Sequence, residues 1–255
     1  MKKFYTRNFR IFFILLSCLI LRGYASASNE PLNPNPDIEQ DIQGKTIDQI
    51  FFIANKYSYT NLNVALKYAN RAIEIAKASG NLEDIFNAQR GLAFIYEDNS
   101  LAIKAIEVHI NNIEIAKKLD NDALASVYND IAILSRKAGN FREAYNWYDK
   151  TLELARSVKD TTNIESSLHG IGLLQKEVGL YDKAIDNLLQ SLNYAVALKS
   201  TRDIIVSEND IADTYMKAQE VDKALEHIEK AYQLALKQFN SNDKDEEATG
   251  QLARS

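Results

Sequence analysis

The chain has 255 residues, with 30 Lys plus Arg against 35 Asp plus Glu and a formal net charge of −5. That sign argues against nucleic-acid binding, which draws its affinity from clustered basic side chains facing the phosphate backbone. The single cysteine, Cys18, excludes an internal disulfide, so stability has to come from packing.

Residues 1–27 have the order of a secretory signal peptide. Lys2, Lys3, Arg7 and Arg10 precede the apolar run Ile11–Leu21, and Ala25-Ser26-Ala27 supplies a small-x-small cleavage site. The run is too short to cross a bilayer, which takes about 20 apolar residues. Cleavage is expected after Ala27, with Ala25 as the second position, giving an exported protein, periplasmic or secreted, with no membrane insertion of the mature chain. The alternative is a membrane-anchored lipoprotein. Leu15-Leu16-Ser17-Cys18 loosely resembles a lipoprotein box, which would lipidate Cys18. Simple cleavage is preferred, because Leu-Ile-Leu-Arg follows Cys18 and the better site lies downstream. Residues 1–27 carry five basic and no acidic residues, so the remainder carries −10.

Residues 28–45 hold all three prolines, Pro31, Pro34 and Pro36, among Asn, Asp and Gln, and read as a disordered linker. Structure is expected to begin at Thr46-Ile47-Asp48-Gln49, a capping box. Ile47, Ile50, Ile53, Ala54 and Tyr57 then follow helical spacing.

From 46 to 239 the chain repeats itself. Alanines recur at Ala65, Ala105, Ala144, Ala184 and Ala224, in steps of 40, 39, 40 and 40. Eleven residues after each comes another: Ala76, Ala116, Ala155, Ala195 and Ala235. A fixed period in this range is the mark of a solenoid. Ala144, Tyr148, Leu152 and Ala155 lie on one face of a helix, and a methyl group at a crossing lets two helices approach closely. Twelve residues before each later marker stands a second small residue, Ala93, Ala132, Gly172 or Ala212. Between the two come Gly139-Asn140-Phe141 and Gly179-Leu180-Tyr181, with Gln219-Glu220-Val221 as a degenerate copy; glycine there supplies a left-handed helix stop.

Each unit is therefore helix A, a turn, helix B and a turn. The B helices are expected over 61–78, 100–119, 141–158, 181–199 and 221–238. The A helices after the first are expected over 82–97, 121–138, 161–178 and 201–218. Period-2 strand alternation persists nowhere. Residues 240–255 turn polar and acidic and read as a tail or as a partial capping helix.

The spacing resembles the tetratricopeptide repeat. Ile171-Gly172, Gly179, Tyr181 and Ala184 match that family's pattern most fully, and Ile131-Ala132, Gly139, Phe141 and Ala144 almost as well. The period exceeds the family's usual 34 residues and is similar to the longer arrays of kinesin light chains and exported bacterial sensors. The resemblance implies an all-α fold, an α-solenoid of five helix-turn-helix repeats wound as a right-handed superhelix, with the A helices lining the concave side.

No motif points to an enzyme, a cofactor or a metal: HExxH, GxSxG, a Walker loop and Cys/His ligand spacing are all missing from the sequence. Of the three histidines, His109 falls on the B-helix core face and reads as packed; His227, flanked by Glu226 and Glu229, reads as solvated.

Binding is the better prospect. The inward A-helix positions are Arg90, Phe94, Asn129, Asp130, Ile133, Arg136, His169, Leu173, Lys176, Asn209, Asp210 and Asp213, with Met216 beside them. Asn129-Asp130-Ile131-Ala132 and Asn209-Asp210-Ile211-Ala212 are near copies; their amides suit an extended peptide backbone, or solvate an open groove. The positions where chaperone-binding relatives grip a peptide carboxylate are Asn87, Gly91, Ser126, Asp130, Ser166, Gly170, Val206 and Asp210, neutral or acidic here, so that clamp is not expected. The expected partner is a protein or peptide segment held by a scaffold. The alternative is the input region of a bacterial signalling protein whose output domain lies outside this sequence.

Overall fold

The computed structural model describes residues 32–34 and 36–252, with side chains described as far as Asn240. The expected signal peptide and Cys18 lie outside the described residues. The chain divides into Met1–Pro36 and Asp37–Ser255. The described positions of the first unit carry no regular secondary structure.

The second unit holds eleven helices and, among the described residues, no strand. A short α1 (Ile38–Ile42) precedes five pairs. The A helices are α2 (Ile47–Ser58), α4 (Leu82–Asp98), α6 (Asn121–Lys137), α8 (Thr161–Glu177) and α10 (Thr201–Lys217). The B helices are α3 (Leu62–Ser79), α5 (Ala102–Leu119), α7 (Phe141–Val158), α9 (Tyr181–Ala197) and α11 (Val221–Leu252). The last departs from expectation: its backbone runs through 238 without a turn and takes in the acidic stretch.

Local chemistry accounts for the starts and stops. The A helices begin on side-chain caps, Thr46, Asn81, Asp120, Asp160 and Ser200, each accepting from a backbone N–H of the first turn. At Thr46 both arms of the capping box are made, at 3.3 and 3.0 Å. The last four of the five A-to-B turns use one left-handed residue, Ser100, Gly139, Gly179 or Gln219. The next residue donates back to the A helix: Leu101 to Tyr96, Asn140 to Ser135, Leu180 to Gln175 and Glu220 to Tyr215, each at 2.9 Å. The same turn thus recurs in the last four repeats even where glycine does not.

From α2 on, each helix packs on the next in sequence. The cores are shared by an A helix, its B helix and the following A helix. One joins Ala132, Tyr148, Leu152, Leu168 and Ile171; another joins Leu173, Leu188 and Ile211. All five marker alanines are fully buried. Of their partners eleven residues on, only Ala235 is partly exposed, since among the described residues no helix follows α11 to pack over that face. Gly172 shows how close the crossing is. A Cβ there would lie 2.7 Å from Leu188 Cγ and 3.2 Å from the Ala184 carbonyl oxygen. Neighbouring A helices also touch, α2 with α4, α6 with α8 and α8 with α10, which puts the A side on the inside of the stack.

Order begins earlier than Thr46. Asp37 caps α1, Ile42 is buried, Tyr68 donates to Asp41 at 2.5 Å, and Arg71 grips Glu39 at 2.8 and 3.1 Å. The Tyr68 hydroxyl is shut in beneath the first repeat, and α1 brings the acceptor it needs. Residues 37–42 are therefore a cap on the stack rather than linker.

Two stability measurements check this account. Gln219→Gly relieves a left-handed residue that has a side chain, and is expected to stabilise by about 0.5–1 kcal/mol, while Gly179→Ala is expected to cost about 1 kcal/mol; thermal melting reads both. Ala184→Leu overpacks a closed crossing and is expected to cost about 1–3 kcal/mol in denaturant melts.

Candidate functional site

The expected groove residues lie on α4, α6, α8 and α10, and many of them are engaged with one another. Arg90 donates to Asp130 at 3.0 and 2.9 Å, joining α4 to α6. Lys137 meets Glu97 across the same pair at 2.5 Å. His169 meets Asp210 at 3.0 Å, and Lys176 reaches Asp210 and Asp213 at 3.0 Å each, joining α8 to α10. Lys176 is 7% exposed. Lys176, expected to face a ligand, instead holds two repeats together, while Leu173 packs in the core with Leu188 and Ile211 and also borders a pocket.

The electrostatics follow from this pairing. Burial pushes the Asp130 carboxyl above its ordinary value, and Arg90 only partly offsets that. Burial also pushes Asp210 up, but His169 and Lys176 outweigh it and hold the carboxyl below its ordinary value. Burial alone would lower the Lys176 ammonium; Asp210 and Asp213 reverse this and raise it.

What the wall leaves free is different in kind. Phe94 and Met216 stand half exposed. The Asn129 amide oxygen is buried without a hydrogen-bond partner, and Asn209 is partly buried. Ile133 and Arg136 of α6 line a pocket of about 200 Å³ with His169, Gly170 and Leu173 of α8 and Val206 and Ser207 of α10. Tyr148 of α7 lies against Gly170, where a Cβ would come within 2.2 Å of its ring. Burial raises the Tyr148 phenol, and the Arg136 guanidinium bonded to it pulls the other way.

Sequence reading missed Glu165, Asp203 and Ser207 as pocket residues. Their only signal was their place on the α8 and α10 faces, within two turns before His169 or Asn209. Two larger depressions of about 580 Å³ lie at the A-to-B turns around Gly139 and Gly179. They are open, and none of their lining residues holds a buried unpartnered side-chain atom.

The histidines divide. His109 is packed, as expected: it is 5% exposed, and burial, with Arg90 adding to it, lowers its pKa to about 4. His227 is a correction. It is buried, 2.5 Å from the buried Glu208 of α10, and stacks on Tyr215. Its neighbours Glu226 and Glu229 are exposed; the partner that draws it inward sits nineteen residues earlier.

The family description Tetratricopeptide repeat matches residues 84–157 and 123–195. Residues 84–195 are tetratricopeptide repeats. The same A-B geometry continues on both sides of them, from Ile47 to α11. No curated protein sequence matches the chain.

The fold matches solved tetratricopeptide arrays. Kinesin light chain TPR-like repeats from Podosopora anserina superpose with a TM-score of 0.57 at 17% identity, covering 75% of this chain and 96% of that one. A signal transduction ATPase with a tetratricopeptide repeat sensor from Pyrococcus horikoshii gives 0.63 at 16%, covering 78% and 31%. A Rap protein complexed with Competence and Sporulation Factor gives 0.56 at 13%, covering 80% and 66%. The repeats form a fold used for protein–protein interaction.

His109 yields a pH test. Its folded pKa lies below the unfolded value of about 6.5, so the unfolded chain takes up a proton first as pH falls. Stability attached to this site is whole above about 6.5 and is lost as pH drops towards 4, by about 2–4 kcal/mol. His109→Leu, the residue at the equivalent Leu188, is expected to flatten that loss in denaturant melts compared at pH 7 and pH 5.

Proposed function

We propose that the protein is an exported, non-enzymatic scaffold that holds a segment of another polypeptide along its A-helix wall. The observation that carries this is the division of labour on the wall. Its acidic groups and most of its cations are paired internally, while the half-exposed Phe94 and Met216 and the unpartnered Asn129 amide are left for a ligand. Apolar anchors and amides suit an extended backbone, which offers a donor and an acceptor at every residue. Export rests on the arrangement of residues 1–27. Neither nucleic acid nor membrane enters this reading. Among the described residues no helix is long and apolar enough to cross a membrane.

A second reading, an input module of a signalling protein, is favoured by the likeness to the tetratricopeptide sensor of the signal transduction ATPase. It keeps the same wall and differs in what the bound segment does. The full gene product distinguishes the two: an output domain joined to this chain selects the sensor.

The test is selection of displayed random peptides on the whole chain. A selected peptide is expected to bind about tenfold more weakly, about 1.4 kcal/mol, to Phe94→Ala and to the double change Asn129→Ala with Asn209→Ala. Ile103→Ala, on the exposed face of α5, is expected to leave it unchanged. Equal losses at both surfaces, or no peptide selected at all, would end the groove reading.

A further inference from the structure

The pocket between α6, α8 and α10 has an unmet hydrogen-bonding demand of one sign. Ser207 lines it, is 1% exposed, and its Oγ has no partner. Arg136 Nε is equally shut off and has no acceptor. The Arg136 guanidinium meets the Tyr148 phenol, and among the described residues no carboxylate lies within ion-pair distance of it. A hydroxyl can serve as donor or acceptor. A guanidinium nitrogen only donates, so Arg136 sets the sign of what is missing.

The carboxylates in the pocket are already engaged. Glu165 accepts from Ser191 at 2.7 Å and from Ser166 at 3.4 Å. Asp203 accepts from the Ser200 hydroxyl at 2.5 Å. The other polar groups nearby, His169 and Lys176, are committed to Asp210. Those bonds leave both carboxylates charged, but the groups left without any partner are Arg136 Nε and Ser207 Oγ, which an acceptor would satisfy. Ile133, Leu173 and Val206 supply apolar lining for a short methylene stem. A volume of about 200 Å³ suits one side chain rather than a folded element.

We propose that this pocket is a carboxylate subsite, with Arg136 and Ser207 as its donors, and that it takes the Glu or Asp side chain of the segment docked on the wall. The second half of the statement rests on the groove reading; the carboxylate chemistry does not. A planar guanidinium matches a carboxylate in two hydrogen bonds, and seclusion from water strengthens both. Glu165 and Asp203 oppose such a ligand from within the pocket, and the Arg136 guanidinium, paired with no carboxylate of the described residues, is the charge that offsets them. The site differs from the chaperone-type clamp: Arg136 is none of that clamp's positions, and the group bound is a side chain.

The experiment uses the full chain labelled with nitrogen-15 and follows the arginine Nε–H resonances. The probes are N-acetylglutamate N-methylamide, its glutamine counterpart and free glutarate. One arginine resonance, absent from Arg136→Gln, is expected to move with the glutamate compound and to stay still with the glutamine compound. Ser207→Ala, which leaves the Arg136–Tyr148 contact in place, is expected to weaken the response about tenfold. Glutarate binding as tightly as the glutamate compound keeps the subsite and assigns it to a free small acid. Tighter binding of a glutamate-bearing selected peptide assigns it to a side chain. An Arg136 resonance that never moves, or that moves equally with the glutamine compound, overturns the subsite. That failure leaves the groove reading untouched, since peptide selection decides it separately.

Discussion

The structure depends on one constraint, the near contact of helix backbones at a small residue that returns every 39 or 40 positions. The five marker alanines are fully buried, and at Gly172 even a methyl group would press on Leu188. Longer side chains on the neighbouring ridges interdigitate only because that contact is so close. A core shared by three successive helices follows from it, as does a stack whose stability accumulates from one interface to the next. Holding every pair to the same crossing also makes successive A helices run in parallel at matched levels. The wall is a consequence of the crossing.

Matched levels explain the charges. Residues about 40 apart on neighbouring A helices face each other, much as residues four apart do along a single helix. Arg90 meets Asp130, Glu97 meets Lys137, and His169 meets Asp210 by this rule. A partly exposed pair of this kind is worth about 0–1 kcal/mol. The pairs therefore add little to stability, but they occupy the wall's most obvious ligand-seeking groups. What remains for a partner is apolar surface, amides and the pocket at Arg136.

The repeat was legible because its signals are short-range or periodic. Apart from α11, the expected boundaries of the repeat helices after α2 match to within two residues, since caps such as Asp120 and stops such as Gly179 act locally. The other failures involve partners distant in sequence. The prolines around α1 pointed to linker, and only Tyr68 and Arg71, about thirty residues on, give its helix a place. His227 has acidic neighbours that suggest solvent, and Glu208 overrules them. Lys176 belongs on the wall by position, yet two aspartates of α10 bury it there. Periodicity identified the face; which groups on it are free depends on what stands one repeat away.

That dependence is sharpest at Gly170. The same place in the repeat holds Asp130 on α6 and Asp210 on α10, each the anchor of a pair between A helices. Glycine breaks the series. Among the described residues no ion pair joins α6 to α8, the ring of Tyr148 rests on the bare backbone, and Arg136 turns to the phenol instead of a carboxylate. An aspartate at 170 would collide with that ring and fill the space. The pocket is thus the gap left where the ladder of charges skips a rung, and Arg136 is the cation that the missing carboxylate would have taken.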